Sequence, residues 1–301
     1  MEDALKNNPL VSVCLMTYDR APYLRGVIDS WLSQTYSNFE LVISDDASSD
    51  ETPKICEEYV QRDKRVRYFR NEKNLNAPGC FKAAFGRARG KYFIWASDDD
   101  LWDKRFLEDC LGVFEKDPEL IMVFADMVDV DRSGNVLKHL DPAKYMPLAR
   151  DLYARLKEFI LFYLTEDGKV QLIYGLWKKE AVLNEPMFGY REKDDRFPFY
   201  MGFDSFFTLR NLPKGPVGFV KETRFFHHRA REEGRFVRNR SLVVRIPISF
   251  YHRLEKIFGS PYFWYVLRFT AGVKELSLFQ RLKLILWNFY VMARVFFVRK
   301  A

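Results

Sequence analysis

The sequence YFIWASDDD, residues 92–100, places three consecutive carboxylates directly after an apolar run. The run Tyr92–Ala96 predicts a buried strand. Three adjacent anions repel one another, so ending such a strand in Asp98, Asp99 and Asp100 is unfavourable unless a cation shares the site. Hard divalent cations such as Mg²⁺ and Mn²⁺ prefer oxygen ligands and bridge carboxylates to phosphates. Taken alone, the triplet fits equally well a solvated acidic turn that caps the next helix.

Strands alternate with helices on both sides of this run. Apolar runs predict strands at 11–16, 39–44, 66–69, 92–96 and 121–125, and helical periodicity predicts helices at 22–32, 51–62, 79–88 and after residue 103. This alternation predicts an α/β fold with a mostly parallel sheet and right-handed crossovers. Ligands of such sheets bind outside the carboxyl ends of the strands.

Three of the predicted strand ends carry polar clusters, which we expect to converge on one edge of the sheet. They are Thr17-Tyr18-Asp19, Asp45-Asp46 and Asp98-Asp99-Asp100. The sequence has no GxGxxG motif after its first strand and no GxxxxGK[ST] motif. Recognition of a nucleotide at this edge would therefore rely on side chains, without a glycine-rich phosphate loop.

Charge is unevenly distributed along the 301 residues. Residues 205–301 hold 19 Lys/Arg and 5 Asp/Glu, whereas residues 1–204 carry a net charge of −7. This asymmetry predicts two regions with different tasks, one at 1–235 and a helical, basic and aromatic one at 236–301. The stretch 281–300 mixes cations with Trp, Tyr and Phe but is too interrupted to span a bilayer. It predicts a helix at a membrane surface, and docking on the catalytic domain or in an oligomer interface remains open.

The cysteines and the N-terminus bear on the cellular setting. Cys14, Cys56, Cys80 and Cys110 show no CxxC spacing, which favours reduced thiols over a zinc site or a disulfide framework. The first residues lack the basic and apolar regions of a signal peptide. We therefore expect a cytoplasmic location, peripheral on the inner face of the cell membrane.

Five segments, in order, resemble motifs of family 2 glycosyltransferases with the GT-A fold. They are Val11-Ser12-Val13 with Thr17-Tyr18-Asp19-Arg20, Trp31-Leu32-Ser33-Gln34-Thr35-Tyr36, Phe39 to Asp50, Gly90 to Trp102, and Gly202-Phe203-Asp204 with Phe206, Phe207 and Arg210. Three departures stand out: Ala47 replaces a common Gly, Ser97 stands at the first acid of the DXD motif, and Lys82 replaces a common Asn or Arg. The resemblance implies an inverting glycosyltransferase that uses a nucleoside-diphosphate sugar, with a UDP-sugar expected.

The resemblance also implies roles for individual residues. Asp45, Asp46, Thr17, Tyr18, Asp19 and Asp98 would contact the nucleotide, and Asp99, Asp100 and His228 would bind Mn²⁺ or Mg²⁺. Asp204 would be the general base that takes a proton from the acceptor hydroxyl, in an apolar setting that raises its pKa. The metal would neutralise the departing diphosphate. The acceptor would be a glycan or a lipid-linked glycan in surface polysaccharide synthesis.

Two functions of other classes also fit parts of the sequence. A protein with a degenerate site could bind a sugar nucleotide or a glycan without catalysis. The basic, aromatic tail also suits nucleic acid, but its charge lies away from the acidic strand ends and no RNA-binding motif is present. Our interpretation therefore expects no nucleic-acid partner and leaves an oligomer open.

Overall fold

The computed structural model describes residues 10–131, 133–139, 147–164, 172–182, 203–228 and 261–298. The strands in these ranges are β1 (Val11–Thr17), β2 (Phe39–Asp45), β3 (Val66–Arg70), β4 (Tyr92–Ala96), β5 (Leu101–Trp102), β6 (Met122–Val130), β7 (Val136–His139), β8 (Leu176–Lys178) and β9 (Val217–His228). The helices are α1 (Ala21–Leu32), α2 (Thr52–Arg62), α3 (Asn76–Arg87), α4 (Phe106–Lys116), α5 (Leu152–Leu164), α6 (Phe203–Asn211), α7 (Pro261–Gly272) and α8 (Leu278–Val298).

One sheet joins these strands in the order β3-β2-β1-β4-β8-β6-β9-β5, with β7 paired to β6. Strands β3, β2, β1 and β4 are mutually parallel. Because β8 runs antiparallel to both β4 and β6, and β9 is parallel to β6, strands β6 and β9 run in the same direction as β4. The carboxyl ends of β1, β2, β4, β6 and β9 therefore lie toward one edge of the sheet.

Helices cover the sheet with the faces that their periodicity predicts. In α1 the buried side chains include Leu24, Val27, Ile28 and Trp31, and in α4 they include Phe106, Leu107, Cys110, Leu111 and Phe114. Both patterns repeat every three or four residues, as a helix with one apolar face requires. The expected α/β fold of the GT-A class is confirmed, and the four neighbouring parallel strands β3, β2, β1 and β4 coincide with predicted apolar runs.

Two helices form the last described part of the chain. Helix α8 packs on α5 and on α7, and its Leu284 and Asn288 are fully buried. Among the described helices, none combines the length and hydropathy needed to cross a bilayer. The expected boundary between residues 235 and 236 lies outside the described residues, so the division into two regions stays a prediction.

Candidate active site

The loop after β1 is tied to the loop after β2 by hydrogen bonds. Asp19 Oδ1 accepts from the backbone N–H of Ser49 at 2.7 Å, and the Asp19 N–H donates to Ser48 Oγ at 3.0 Å. Asp19 has a φ of 51°, in the left-handed region that Asp tolerates better than most residues. This turn leaves Thr17 buried and Tyr18 exposed at the edge of the sheet.

The paired acids after β2 are both buried, and they make different contacts. Asp45 accepts hydrogen bonds from the Ser48 N–H at 2.8 Å and from the Tyr68 hydroxyl at 2.6 Å, one on each carboxylate oxygen. Asp46 accepts from the Asn71 side-chain amide and the Leu75 N–H, both at 2.9 Å and both on Oδ1. Asp45 thus organises the loop, whereas Oδ2 of Asp46 takes part in neither of these two bonds.

The acid triplet lies next to the β1 loop. Asp98 Oδ2 accepts from the Tyr18 N–H at 3.4 Å, and the guanidinium of Arg20 lies 3.7 Å from Asp98 and 3.8 Å from Asp99. Burial raises the pKa of Asp98 to about 7, the charge of Asp99 adds to the rise, and Arg20 opposes it. Asp100 is buried, and Asp99 accepts a short hydrogen bond from Ser97. The triplet is therefore a crowded acidic site, and the cation beside it is the guanidinium of Arg20.

A histidine from β9 faces the same acids. Asp129 on β6 is the register partner of His227 on β9, and Asp129 Oδ1 lies 3.1 Å from His227 Nδ1. Burial lowers the pKa of His227, but the bond to Asp129 and the charges of Asp100 and Asp99 outweigh burial, so the pKa is raised. The imidazole thus lies within the electrostatic reach of the triplet. The side chain of His228, the residue singled out from the sequence, lies outside the described residues.

Asp204 falls in the first turn of α6, and its side chain also lies outside the described residues. The helix itself is anchored close to the acid triplet. Phe207, one turn after Asp204, packs edge-on against Trp177 at 5.0 Å and Trp95 at 6.3 Å between ring centroids. Trp95 lies in β4, three residues before Asp98, so the middle of α6 contacts the carboxyl-terminal part of that strand.

The donor set suits a hard divalent cation. Asp98, Asp99 and Asp100 supply carboxylate oxygens and His227 supplies an imidazole, which are ligand types that Mn²⁺ accepts. Burial, and after it the charge of Asp99, raises the pKa of Asp98, and a bound cation would lower that pKa again. Within the described residues, no three His, Cys, Asp or Glu groups stand close enough together to enclose an ion.

Two residues of this edge have no place among the candidates drawn from the sequence. Arg20 belongs to the first motif, but its contact with the triplet depends on the parallel pairing of β1 with β4. The sequence could have indicated Asp129, because this acid lies near the end of an apolar strand. The other acids of the site also lie at or just after the ends of strands. Its partner His227 lies 98 residues further along the chain, so the sequence does not show the pair.

A family model described as "Glycosyl transferase family 2" matches residues 12–172, more than half of the chain. The chain therefore belongs to glycosyl transferase family 2. The matched segment contains the clusters after β1, β2 and β4. It ends before Asp204, His227 and His228, so the family match by itself says nothing about those three residues.

Curated relatives match a little less than half of the chain. An uncharacterized glycosyltransferase of Methanocaldococcus jannaschii is 33% identical over 141 residues, which is 46% of this chain and 49% of that protein. The chondroitin synthase of Escherichia coli is 33% identical over 135 residues, which is 45% of this chain and 20% of the synthase. The chain thus aligns with half or less of the length of these relatives.

Solved structures share the fold over nearly the whole chain. S. aureus TarS 1-349 superposes with a TM-score of 0.65 at 15% identity, covering 96% of this chain and 73% of that one. The same protein in complex with UDP-GlcNAc gives a TM-score of 0.65 at 17% identity, covering 94% and 73%. At these identities the similarity demonstrates the fold alone.

Proposed function

We propose that this chain is a metal-dependent, inverting glycosyltransferase that transfers a sugar from a nucleoside-diphosphate sugar to a hydroxyl group. The observation that carries the proposal is the meeting of three acidic strand ends. The contacts from Tyr18 and Arg20 to Asp98 and from Asp19 to Ser49 join those ends into one site. Separate solvated turns would gain nothing from this convergence, whereas a metal bound to a diphosphate would use it.

The nucleotide would lie along the loops after β1 and β2. Tyr18 is exposed there, and Thr17, Asp19, Asp46 and Asp98 would offer their polar atoms to the nucleotide. Asp45 would act through the shape of the loop, because its oxygens accept from Ser48 and Tyr68. Complexes of the structural neighbour TarS with UDP and with UDP-GlcNAc support a UDP-sugar as the donor.

Asp99 and Asp100 would hold the divalent metal, with a histidine of the β9 end, His227 or His228, as a further ligand. When bound, Mn²⁺ or Mg²⁺ would stabilise the negative charge that develops on the leaving diphosphate. A mannosyltransferase of Pyrobaculum calidifontis, a structural neighbour with a TM-score of 0.50, is in complex with GDP-Man and Mn²⁺. Arg20 would then pair with phosphate oxygens in place of the carboxylates.

Asp204 would be the general base of a single displacement. Its carboxylate accepts the proton of the acceptor hydroxyl while that oxygen bonds to the anomeric carbon. The bond from the anomeric carbon to the diphosphate breaks on the opposite face, so the configuration inverts and no covalent enzyme intermediate forms. The packing of Phe207 on Trp95 and Trp177 supports this role because it anchors α6 near the acid triplet.

The acceptor would be a glycan or a lipid-linked glycan used in surface polysaccharide synthesis, at the inner face of the cell membrane. Two properties support this choice. The relatives include a chondroitin synthase, which by its name makes a polysaccharide. The region after residue 235 is also basic and aromatic, as peripheral membrane segments are.

A thermal-shift series tests the donor site. UDP-, GDP- and dTDP-sugars are added to the full chain with and without Mn²⁺, and we expect the UDP-sugars to stabilise it most and only fully with the metal. Asp99→Asn should remove the metal-dependent part of the shift. Glu115→Gln, which removes an equal charge from the exposed end of α4, should leave it intact. No stabilisation by any sugar nucleotide would overturn the donor site.

A second experiment tests the base. Once a donor has been found, Asp204→Asn should lower transfer to an acceptor by at least about a hundredfold while the donor-dependent thermal shift is unchanged. Glu222→Gln, on the exposed part of β9, serves as the charge-matched control. Transfer at the normal rate by Asp204→Asn would remove Asp204 from the mechanism but leave the donor site standing.

A further inference from the structure

Helix α8 has two opposite faces, and its outer face is apolar. On a helical projection Phe279, Leu282, Leu286 and Tyr290 fall within an arc of about 100°, opposite the fully buried Leu284 and Asn288. Leu278, about 40° beyond one end of this arc, exposes 72% of its surface, Leu286 67% and Phe279 66%. We call Leu278, Phe279, Leu282, Leu286 and Tyr290 the outer stripe of α8.

The outer stripe is long enough to be a contact surface. From Phe279 to Tyr290 it runs for about 17 Å along the helix axis. Continuous exposed apolar surface of this kind marks a docking site more often than scattered single residues do. Since the inner face of α8 already packs on α5 and α7, the outer stripe is left for a partner outside the described residues.

The charges around the outer stripe select the partner. The two helices, residues 261–298, contain five Lys/Arg and one Asp/Glu. Lys283 lies with its Nζ 4.2 Å from the centre of the Phe279 ring, within the stripe itself. Lys157 of α5 lies 4.5 Å from the ring centre of Trp287, which in turn stacks on Tyr290. Both cations therefore border the outer stripe along the side on which Trp287 lies.

We propose that the outer stripe of α8 lies on an anionic lipid surface, parallel to the membrane plane. The leucines and Phe279 would enter the boundary between headgroups and acyl chains, and Tyr290 would sit at headgroup depth with its hydroxyl in water. Lys283 and Lys157 would meet lipid phosphates. A second copy of this chain fits less well, because packing two stripes together brings the two sets of cations face to face.

This inference adds a partner to the proposed transferase, and it does not depend on the chemistry of the site. The orientation would keep the catalytic domain close to the bilayer, where a lipid-linked acceptor is confined. It assigns binding to named side chains of one helix face, whereas the sequence pattern indicated only a basic, aromatic region.

Flotation of the full chain with vesicles tests the proposal. We expect binding to vesicles with about 30% anionic lipid, weak binding to purely zwitterionic vesicles, and weaker binding as salt is raised. The double substitution Leu282→Glu with Leu286→Glu should reduce binding at least about tenfold, because it removes apolar area and adds charge that the lipid repels. Both sites are exposed, so the fold should tolerate the change.

A matched control introduces the same charge elsewhere. Val136→Glu with Leu137→Glu changes two exposed apolar residues of β7, so this variant should bind vesicles as the unmodified chain does. Equal binding by the α8 variant and the unmodified chain would overturn the proposal, and so would absence of binding to anionic vesicles at low salt. If the α8 substitutions lower the molecular mass measured by sedimentation, and lipid has no effect on that mass, the outer stripe would be assigned to self-association instead. The sugar-nucleotide thermal shift, measured on every variant, reports separately on the proposed function.

Discussion

The pKa of Asp98 is raised to about 7 by burial and by the charge of Asp99, against the opposing charge of Arg20. A carboxyl whose pKa is higher in the folded chain than in the unfolded chain stabilises the fold at low pH. That contribution is lost as the pH rises from about 4 to about 7, because the unfolded chain releases the proton first. At neutral pH the ionised Asp98 therefore destabilises the metal-free protein.

Asp98→Asn should reveal this destabilisation. In EDTA at pH 8 we expect the variant to be more stable than the unmodified chain by about 2–4 kcal/mol, with the difference vanishing near pH 4. Urea denaturation at several pH values measures it. Glu115→Gln, an exposed acid of α4, should change stability by less than about 0.5 kcal/mol at every pH. A pH-independent effect of Asp98→Asn would contradict the assignment.

Ala47 stores backbone strain in the loop after β2. Its φ of 67° lies in the left-handed region, where an alanine Cβ crowds the following carbonyl group. Ala47→Gly should therefore stabilise the fold by about 1 kcal/mol. Ala88→Gly is the matched control: its φ is −67°, so the same substitution should destabilise by a similar amount. Chemical denaturation of both variants tests the difference in sign.

At the scale of elements, the chain just before β4 passes so close to β1 that Gly90 has no room for a side chain. A Cβ on Gly90 would stand 2.7 Å from the Ser12 backbone N and 2.8 Å from the Val11 backbone C, both in β1. These backbone atoms cannot move without disturbing the pairing of β1 with β4. The close approach also lets the Gly90 N–H donate to Ser12 Oγ at 2.8 Å.

Gly90→Ala should accordingly lower the free energy of unfolding by about 2–3 kcal/mol. Gly86→Ala, four residues earlier in the exposed part of α3, has nothing within 4 Å of its Cβ position and should raise it by about 0.5–1 kcal/mol. Thermal unfolding of the two variants provides the comparison. Equal changes in the free energy of unfolding in both variants would contradict the close approach of Gly90 to β1.

The elements differ in how far the sequence predicts them. Strands β1, β2, β3 and β4 follow from short, mostly apolar runs. The shared edge where the polar clusters after β1, β2 and β4 meet follows from the expected parallel sheet. Strands β5 and β8 hold two and three residues, too few to show a period, and they form because the sheet offers them partners. The role of Asp45 was equally hidden, since its partner Tyr68 belongs to another strand.

The choice between His227 and His228 shows a second limit of prediction from the sequence. Residues 225–228 read Phe-Phe-His-His, and this pattern does not alternate between apolar and polar positions. The face that each side chain takes is therefore set by the register of β9 against β6, in which His227 stands beside Asp129. Register depends on long-range pairing, so the sequence pattern could indicate the segment but not the residue.

At the scale of the whole molecule, the site joins two parts of the chain with separate tasks. The proposed nucleotide contacts come from residues 17–98, before the sheet changes direction at β8. The histidine that faces the acid triplet comes from β9, and its partner Asp129 comes from β6. We therefore expect metal binding and nucleotide binding to respond to different substitutions.

The substitution Asp129→Asn should affect metal binding without affecting nucleotide binding. Asp129 Oδ1 lies 3.1 Å from His227 Nδ1. In a neutral imidazole that carries its proton on Nδ1, this contact leaves the Nε2 lone pair for a metal, an arrangement that tunes metal-binding histidines. If His227 is the metal ligand, the variant should bind Mn²⁺ about tenfold more weakly in the presence of UDP, while UDP affinity in EDTA stays the same. Electron paramagnetic resonance of free Mn²⁺ and calorimetry of UDP measure the two quantities.

Asp126→Asn is the control for this comparison. Asp126 lies on the opposite face of β6, three residues before Asp129, and pairs with a different histidine, His139, at 2.5 Å. Both substitutions remove one buried carboxylate that contacts an imidazole, so a purely structural effect would appear in both. Only the Asp129 variant should lose Mn²⁺ affinity, since only its histidine lies in the field of Asp99 and Asp100. Equal losses in both variants, or none in either, would exclude His227 as the metal ligand and leave His228 to be tested next.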